Sequence, residues 1–183
     1  MNNENNDSND NATQNARPAL EDEIKKALGG DAQKNALDFA AFLRAKGMRI
    51  HPKHPNAFTY MDEGVCVFVF QDIENNTPGG WTLFWGDCDI YESEGTQVDE
   101  ALKEFARAHV GICGHFKSGG QYCGCGQQPG KRRVIFGKEF DNVCTSCMAF
   151  CVPDAEALES IKKLVEARMC NITEEKAKAG TGN

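Results

Sequence analysis

The sequence predicts an α+β domain in which helices pack on an antiparallel sheet. Three observations indicate this class: amphipathic helical stretches lie at both ends of the central region, apolar strand-like runs lie between them, and a further helix interrupts the strands. A glycine- and cysteine-rich loop, residues 111–130, separates the earlier strands from the later ones. The expected order is therefore helix, helix, three strands, helix, loop, two strands and helix.

Two helices are expected before the first strand. Residues 21–28 form a short amphipathic stretch that ends at a Gly-Gly pair, a common helix stop. In the next stretch, apolar side chains recur at helical spacing, and Gly47 ends the helix. The apolar stripe of this second helix consists of Ala36, Phe39, Ala40 and Leu43.

The middle of the chain changes to the two-residue period of strands. FTYM and VCVFVFQDI flank a DEG turn and predict a β-hairpin, and WTLFW predicts a third strand. Both faces of the second strand are apolar, so we expect it to be central and covered on both sides. Residues 97–109 carry one apolar face and predict a helix.

The last part of the chain predicts two strands and a helix. RVIF and VCTSCMAFCV contain many β-forming residues, and Pro153 ends the second of these strands. The helix that follows has its apolar side at Leu158, Ile161, Val165 and Met169. Residues 1–18 and 173–183 lack the apolar content of a core, so we expect disordered tails there and a single domain over 19–172.

Composition and charge limit the classes of function. The formal net charge is -7, whereas proteins that bind nucleic acid or anionic membranes are usually basic, so we expect neither partner. No stretch approaches the about 20 apolar residues that span a bilayer. The N-terminus has neither the basic nor the apolar region of a secretory signal, so we expect a cytoplasmic protein with reduced thiols.

The cysteines are the strongest functional signal in the sequence. There are nine of them, and clustered cysteines in a reducing compartment more often mark metal or redox chemistry than a disulfide framework. Cys113, Cys123 and Cys125 lie in the glycine-rich loop and would supply three thiolates of a tetrahedral zinc site. The candidates for the fourth ligand, in order of preference, are Cys144, His115 and His109.

More cysteines follow Cys144 along the last predicted strand. On a strand, Cys144 faces one side while Cys147 and Cys151 face the other, so we expect the latter two to pack in the core. The run is also similar to half of a ferredoxin motif, but one cysteine is missing and Val152 separates Cys151 from the proline. An iron–sulfur cluster is therefore less well supported than zinc.

A thiol-based sensor of redox state or of electrophiles is an alternative function. Cys123 and Cys125 could form a small disulfide or hold a reactive thiolate, because the cationic side chains of Lys131 and Arg132 follow closely in the sequence. Zinc thiolates are protected from alkylating reagents and redox thiols are not, so labelling would distinguish the two hypotheses.

A sensor domain that binds a small-molecule effector is a further alternative. Four aromatic residues could line a pocket for such a ligand, although the alternation in WTLFW favours core packing: Trp81, Phe84, Trp85 and Tyr91. His51 and His54 form an H-x-x-H between prolines, which we interpret as a surface turn. The sequence contains no motif of nucleophilic or acid–base catalysis, so we assign no catalytic residue.

The segment IFGKEFDNVC and the following PDAEALESIKKLVEAR resemble a family of small uncharacterised bacterial proteins. NALDFAAFLRAKGM is similar to their N-terminal portion, so the resemblance covers most of the core. A cysteine-containing glycine loop precedes the FGKEFDNVC segment in this family. The cysteines that the resemblance implies to belong together are Cys113, Cys123, Cys125 and Cys144. This chain departs from the pattern in its longer loop and in Cys147 and Cys151, and no established activity transfers with the resemblance.

Overall fold

The computed structural model describes residues 19–71, 79–85, 98–113 and 130–180. These ranges hold four helices and a seven-stranded antiparallel sheet, so the predicted α+β class is confirmed. The helices are α1 (Leu20–Ala27), α2 (Gly30–Ala45), α3 (Glu100–Ala108) and α4 (Ala155–Gly180). The strands are β1 (Arg49–His51), β2 (His54–Tyr60), β3 (Glu63–Val69), β4 (Thr82–Trp85), β5 (Val110–Ile112), β6 (Lys131–Ile135) and β7 (Lys138–Cys151).

The sheet is organised around β7. The strand order is β1-β2-β3-β4-β7-β5, and β6 pairs with the first part of β7. Met148 of β7 pairs with Trp85 of β4 and with Val110 of β5, so β7 has a partner on both edges at this point. The last strand of the sequence is thus inserted between two earlier ones.

Cross-strand pairs identify the two faces of the sheet. Phe68, Leu83 and Phe150 form one paired row across β3, β4 and β7, and all three are buried. Directly opposed residues of a sheet share a face, and helices cover this one. The ring centroid of Phe39 in α2 lies 6.0 Å from that of Phe68, and the ring centroid of Phe105 in α3 lies 5.7 Å from that of Phe150. We call this the helical face and the opposite side the second face.

The apolar stripes predicted for the helices form part of the core. In α2, the four stripe residues are fully buried: Ala36, Phe39, Ala40 and Leu43. In α4, the predicted stripe is buried at Leu158, Ile161 and Val165, while Met169 packs at the edge of the core. Helix α4 packs against α2, α3 and β3, so it connects the other helices to the sheet.

Helix α4 is longer than the sequence predicts. It continues to Gly180, beyond residue 172, where the sequence predicts the domain to end. An ion pair of 2.6 Å joins Lys176 of this helix to Glu63 at the start of β3. The other predicted tail, residues 1–18, lies outside the described residues. No helix in the described part of the chain combines the length and apolarity needed to cross a membrane.

Candidate functional site

Two of the four predicted zinc ligands, Cys113 and Cys144, lie in the described part of the chain. Cys123, Cys125 and the alternative ligand His115 lie outside it. Within the described ranges, no group of three or more histidine, cysteine, aspartate or glutamate side chains is arranged to hold a metal ion. A zinc site at Cys113 and Cys144 therefore requires ligands from residues 114–129 and stays a prediction.

Cys113 is anchored where β5 ends. Its side chain is buried, with 1% of its surface exposed, and its backbone N–H donates to the carbonyl oxygen of Asn142 at 2.7 Å. Asn142 has a φ of 57°, a left-handed conformation that asparagine tolerates better than most residues. The hydrogen bond therefore attaches the end of β5 to an irregular point of β7.

Gly130, at the other end of the glycine- and cysteine-rich loop, also packs against Asn142. A Cβ atom on Gly130 would lie 2.4 Å from the carbonyl oxygen of Asn142 and 2.7 Å from the Cβ of Cys113. Real Cβ atoms essentially never make contacts this short, so the position requires glycine. Cys113 and Gly130, which flank residues 114–129, therefore both lie against Asn142.

Cys144 lies on β7, two residues beyond Asn142 and beside β5. A Cβ atom on Gly111 would be 3.9 Å from the Cβ of Cys144, so these two residues are neighbours across the strands. Because Cys113 is bonded to the backbone of Asn142, Cys113 and Cys144 are diagonal neighbours. Such neighbours lie about 7–8 Å apart, and thiolate ligands bind zinc at about 2.3 Å. Two cysteine side chains that start from this separation can reach one ion.

His109, the third candidate for the fourth ligand, lies at the opposite end of β5 from Cys113. Its Nδ1 is 2.7 Å from the carbonyl oxygen of Phe105, and its ring packs against the rings of Phe105 and Phe150. Four residues of extended chain span about 13 Å, which separates His109 from Cys113. Of the two described candidates, Cys144 is therefore the better placed.

The cysteines of β7 do not alternate as predicted. The buried residues of its second half are Val143, Cys147, Met148 and Phe150. The partly exposed residues, which line one pocket, are Cys144, Ser146, Ala149 and Cys151. The partly exposed positions are even-numbered at Cys144 and Ser146 and odd-numbered at Ala149 and Cys151. The change occurs where the pairing register between β5 and β7 shifts, as it does at a β-bulge. The core position predicted for Cys147 is confirmed, whereas that for Cys151 is wrong, because the irregularity turns it to the side of Cys144.

Two observations bear on the hypothesis of a reactive thiol. Arg132 forms ion pairs with Glu139 and Asp141, so carboxylates offset the positive charge that could have stabilised a nearby thiolate. Burial raises the pKa of the Cys66 thiol, which makes this cysteine a structural one. The reactivity of Cys123 and Cys125 stays a prediction.

Trp81 and Trp85 belong to the core. Both side chains are fully buried, and neither lines the described pockets. The ring of Trp81 stacks on Phe68 with centroids 5.5 Å apart, and Trp85 meets Phe150 edge-on. Core packing is therefore confirmed for both tryptophans. Phe84 lines a pocket between β4, β5 and β7, and Tyr91 lies outside the described residues, so the effector-binding sensor stays a prediction.

Comparison with known proteins gives no family to which the chain can be assigned. No family model matches the sequence, and no curated protein or solved structure is similar to it. The geometry around Cys113 and Cys144 is therefore the basis on which a function can be argued.

Proposed function

We propose that the chain is a small cytoplasmic binding domain in which a structural zinc ion holds the glycine- and cysteine-rich loop against the sheet. The proposed ligands are Cys113, Cys123, Cys125 and Cys144. The observation that carries the proposal is the convergence of Cys113 and Gly130 on Asn142. Both ends of the loop therefore meet at β7, the strand that also carries Cys144.

The chemistry of the ligand set supports zinc. Four thiolates in tetrahedral arrangement form a common structural zinc site, which has no open position for a substrate. Two ligands come from the sheet and two from Cys123-Gly-Cys125, whose central glycine allows a tight turn. The ion would cross-link segments that are distant in sequence, so its binding free energy would add to folding stability. Its contribution is structural, and the surface it stabilises would bind the ligand or partner.

Metal analysis of the purified protein tests the proposal. The protein is purified anaerobically without a His-tag or chelator, and its metal content and absorption spectrum are measured. We expect about one zinc ion per chain, no visible absorption, and loss of zinc with a lower Tm in the variants Cys113→Ser, Cys125→Ser and Cys144→Ser. Cys170→Ser is the matched control, because Cys170 is exposed on α4 and is not a proposed ligand.

Three other results would reject the zinc site. Unchanged metal content and Tm in Cys113→Ser and Cys125→Ser would show that these thiols bind no structural ion. A brown protein that contains iron and sulfide would indicate an iron–sulfur cluster. A metal-free protein in which Cys123 and Cys125 are alkylated rapidly near neutral pH would support the thiol-based sensor.

A further inference from the structure

A pocket of about 470 Å³ lies between β4, β5 and β7. Phe84 and Ala149 are paired across β4 and β7, and both line it. Their chain neighbours Leu83 and Phe150 are buried on the helical face, so Phe84 and Ala149 belong to the second face. The volume is within the range of small-molecule sites, about 300–1,000 Å³. We call it the β5–β7 pocket.

The described lining of the β5–β7 pocket contains no carboxylate, ammonium or guanidinium group. Phe84 and Ala149 supply apolar surface, and the polar side chains include the Ser146 hydroxyl, the sulfur of Cys151 and that of Cys144, which is also a proposed zinc ligand. An ion that entered would lose hydration without gaining an opposite charge. The pocket beside α4 differs in this respect, because its lining includes Lys46, Glu166 and Glu174.

His109 borders the β5–β7 pocket with its backbone, whose carbonyl oxygen accepts from the N–H of Ala149 at 3.0 Å, because its ring packs against Phe105 and Phe150 on the helical face. The carbonyl oxygen of Phe105 can only accept, so the Nδ1 atom of His109, 2.7 Å away, carries the proton and donates. The hydroxyl of Ser146, which can both donate and accept, is therefore the hydrogen-bonding side chain of the wall on which a ligand can be oriented.

Cys151 occupies a defined position in the wall of the pocket. Its strand partner Thr82 is fully buried, and the Thr82 hydroxyl donates to the carbonyl oxygen of Gln71 at 2.9 Å. The same hydroxyl oxygen lies 3.7 Å from the Sγ of Cys151, within hydrogen-bonding range for sulfur. Cys151 is partly exposed, so its thiol can report on what enters the pocket.

We propose that the β5–β7 pocket is a ligand site for an uncharged small molecule that carries both apolar surface and a hydrogen-bonding group. The ligand would lie across Phe84 and Ala149, with its polar group toward Ser146. This inference rests on the proposed function, because it names the ligand class of the binding domain, but it does not require the zinc ion.

Labelling of Cys151 with a matched pair of maleimides tests the ligand class. N-phenylmaleimide is uncharged, whereas N-(4-carboxyphenyl)maleimide adds a carboxylate to the same ring. In each reaction the thiolate sulfur bonds to one alkene carbon, the C=C π bond breaks, and the other alkene carbon takes a proton from water. Peptide mass spectrometry gives the rate at each cysteine, and exposed Cys170 on α4 is the reference thiol.

We expect the labelling rate of Cys151 to saturate as the concentration of N-phenylmaleimide rises. N-(4-carboxyphenyl)maleimide should label Cys151 more slowly, by about tenfold or more, because its carboxylate would be buried without a partner. Cys170 should react with both reagents at similar rates and without saturation. The unreactive N-phenylsuccinimide should slow labelling of Cys151 but not of Cys170. The variant Ala149→Leu, whose larger side chain fills the pocket, should abolish the saturation. If Ala149→Leu does not fold, Ser146→Leu is used in its place.

Linear kinetics at Cys151, equal rates with both reagents and no protection by N-phenylsuccinimide would overturn the inference. Zinc content is measured on the same samples, so the two proposals can fail separately. Bound zinc without saturation at Cys151 would reject the ligand site alone, whereas saturation in zinc-free protein would reject the zinc site alone.

Discussion

Gly130 and Cys113 are packed against each other over the carbonyl oxygen of Asn142, although the 16 residues 114–129 separate them in the sequence. The contact joins the beginning of β6 to the end of β5. The contact leaves no room for a side chain at position 130. A substitution at this position therefore tests the contact between Gly130 and Asn142 without changing any proposed metal ligand.

Gly130→Ala should destabilise the protein. The added methyl group would overlap the backbone of Asn142, which cannot move without disturbing β7, and overpacking of this kind costs about 1–3 kcal/mol. Gly64→Ala is the matched control, because a Cβ atom there meets nothing within 4 Å. Urea denaturation of both variants measures the effect. Equal stability of the two would contradict the close contact at Gly130.

Asp154→Ala should weaken the start of α4. The Oδ1 atom of Asp154 accepts a hydrogen bond of 2.8 Å from the backbone N–H of Ala157, and loss of such an N-cap costs about 1 kcal/mol. Asp154→Asn keeps an acceptor and should retain most of the stability. Thermal denaturation compares the variants, and an equal loss in both would show that the cap is not the cause.

The ion pair between Glu21 and Arg44 should contribute to stability only above acidic pH. The hydrogen bond from Arg44, which is 2.7 Å from Nε to the carboxylate, lowers the pKa of Glu21. A lowered folded-state pKa stabilises the protein above the unfolded-state pKa, and this stability is lost as the pH falls through the folded-state pKa. Both side chains are partly exposed, so the contribution is below about 1 kcal/mol.

Glu21→Gln tests this pH dependence. The difference in unfolding free energy between the parent chain and the variant should be present at neutral pH and should disappear as the pH falls through the lowered pKa of Glu21. Lys34 and Asp38 form a more exposed pair on α2, so Asp38→Asn is a control expected to have a smaller effect. A Glu21→Gln difference that persists in acid would show that the carboxylate charge is not responsible.

The described cysteines should differ in their reactivity toward iodoacetamide in the folded protein. Cys170 is exposed and should react first, whereas Cys66 and Cys147 are buried and should react last. Burial also raises the pKa of Cys66, which lowers its thiolate fraction near neutral pH. Mass spectrometry at successive times measures the order. In urea the differences should disappear, and native labelling of Cys66 as fast as that of Cys170 would contradict the fold.

Local patterns in the sequence predict much of this fold. The stripe from Ala36 to Leu43 and the β2–β3 hairpin depend on neighbouring residues, and both are confirmed. The turn lies at Met61 and Asp62, so Glu63, predicted in the turn, begins β3 instead. The three-residue strand β5 is too short to have a periodicity. The extension of α4 to Gly180 follows from helix-favouring Ala, Glu and Lys residues, whose propensity outweighs their lack of apolar surface.

The candidate site is only partly predictable, because its geometry depends on long-range register. Strict alternation along β7 separates Cys144 from Cys151, and a local shift opposite β5 brings both to one pocket. A shift of one residue moves every later side chain to the other face, and no local pattern reports it. Burial of Trp81 and Trp85 likewise depends on rings contributed by β3 and β7.

The position of β7 in the sheet has a consequence for synthesis on the ribosome. Strands β1 to β4 can pair in order as they emerge, because each is adjacent to the next. The free edge of β4, however, must wait until residues 138–151 have been made, because its partner there is β7. An unpaired edge invites association between nascent chains. Folding of this protein in the cell should therefore be most vulnerable between the synthesis of β4 and that of β7, when chaperones that shield strand edges would increase its yield.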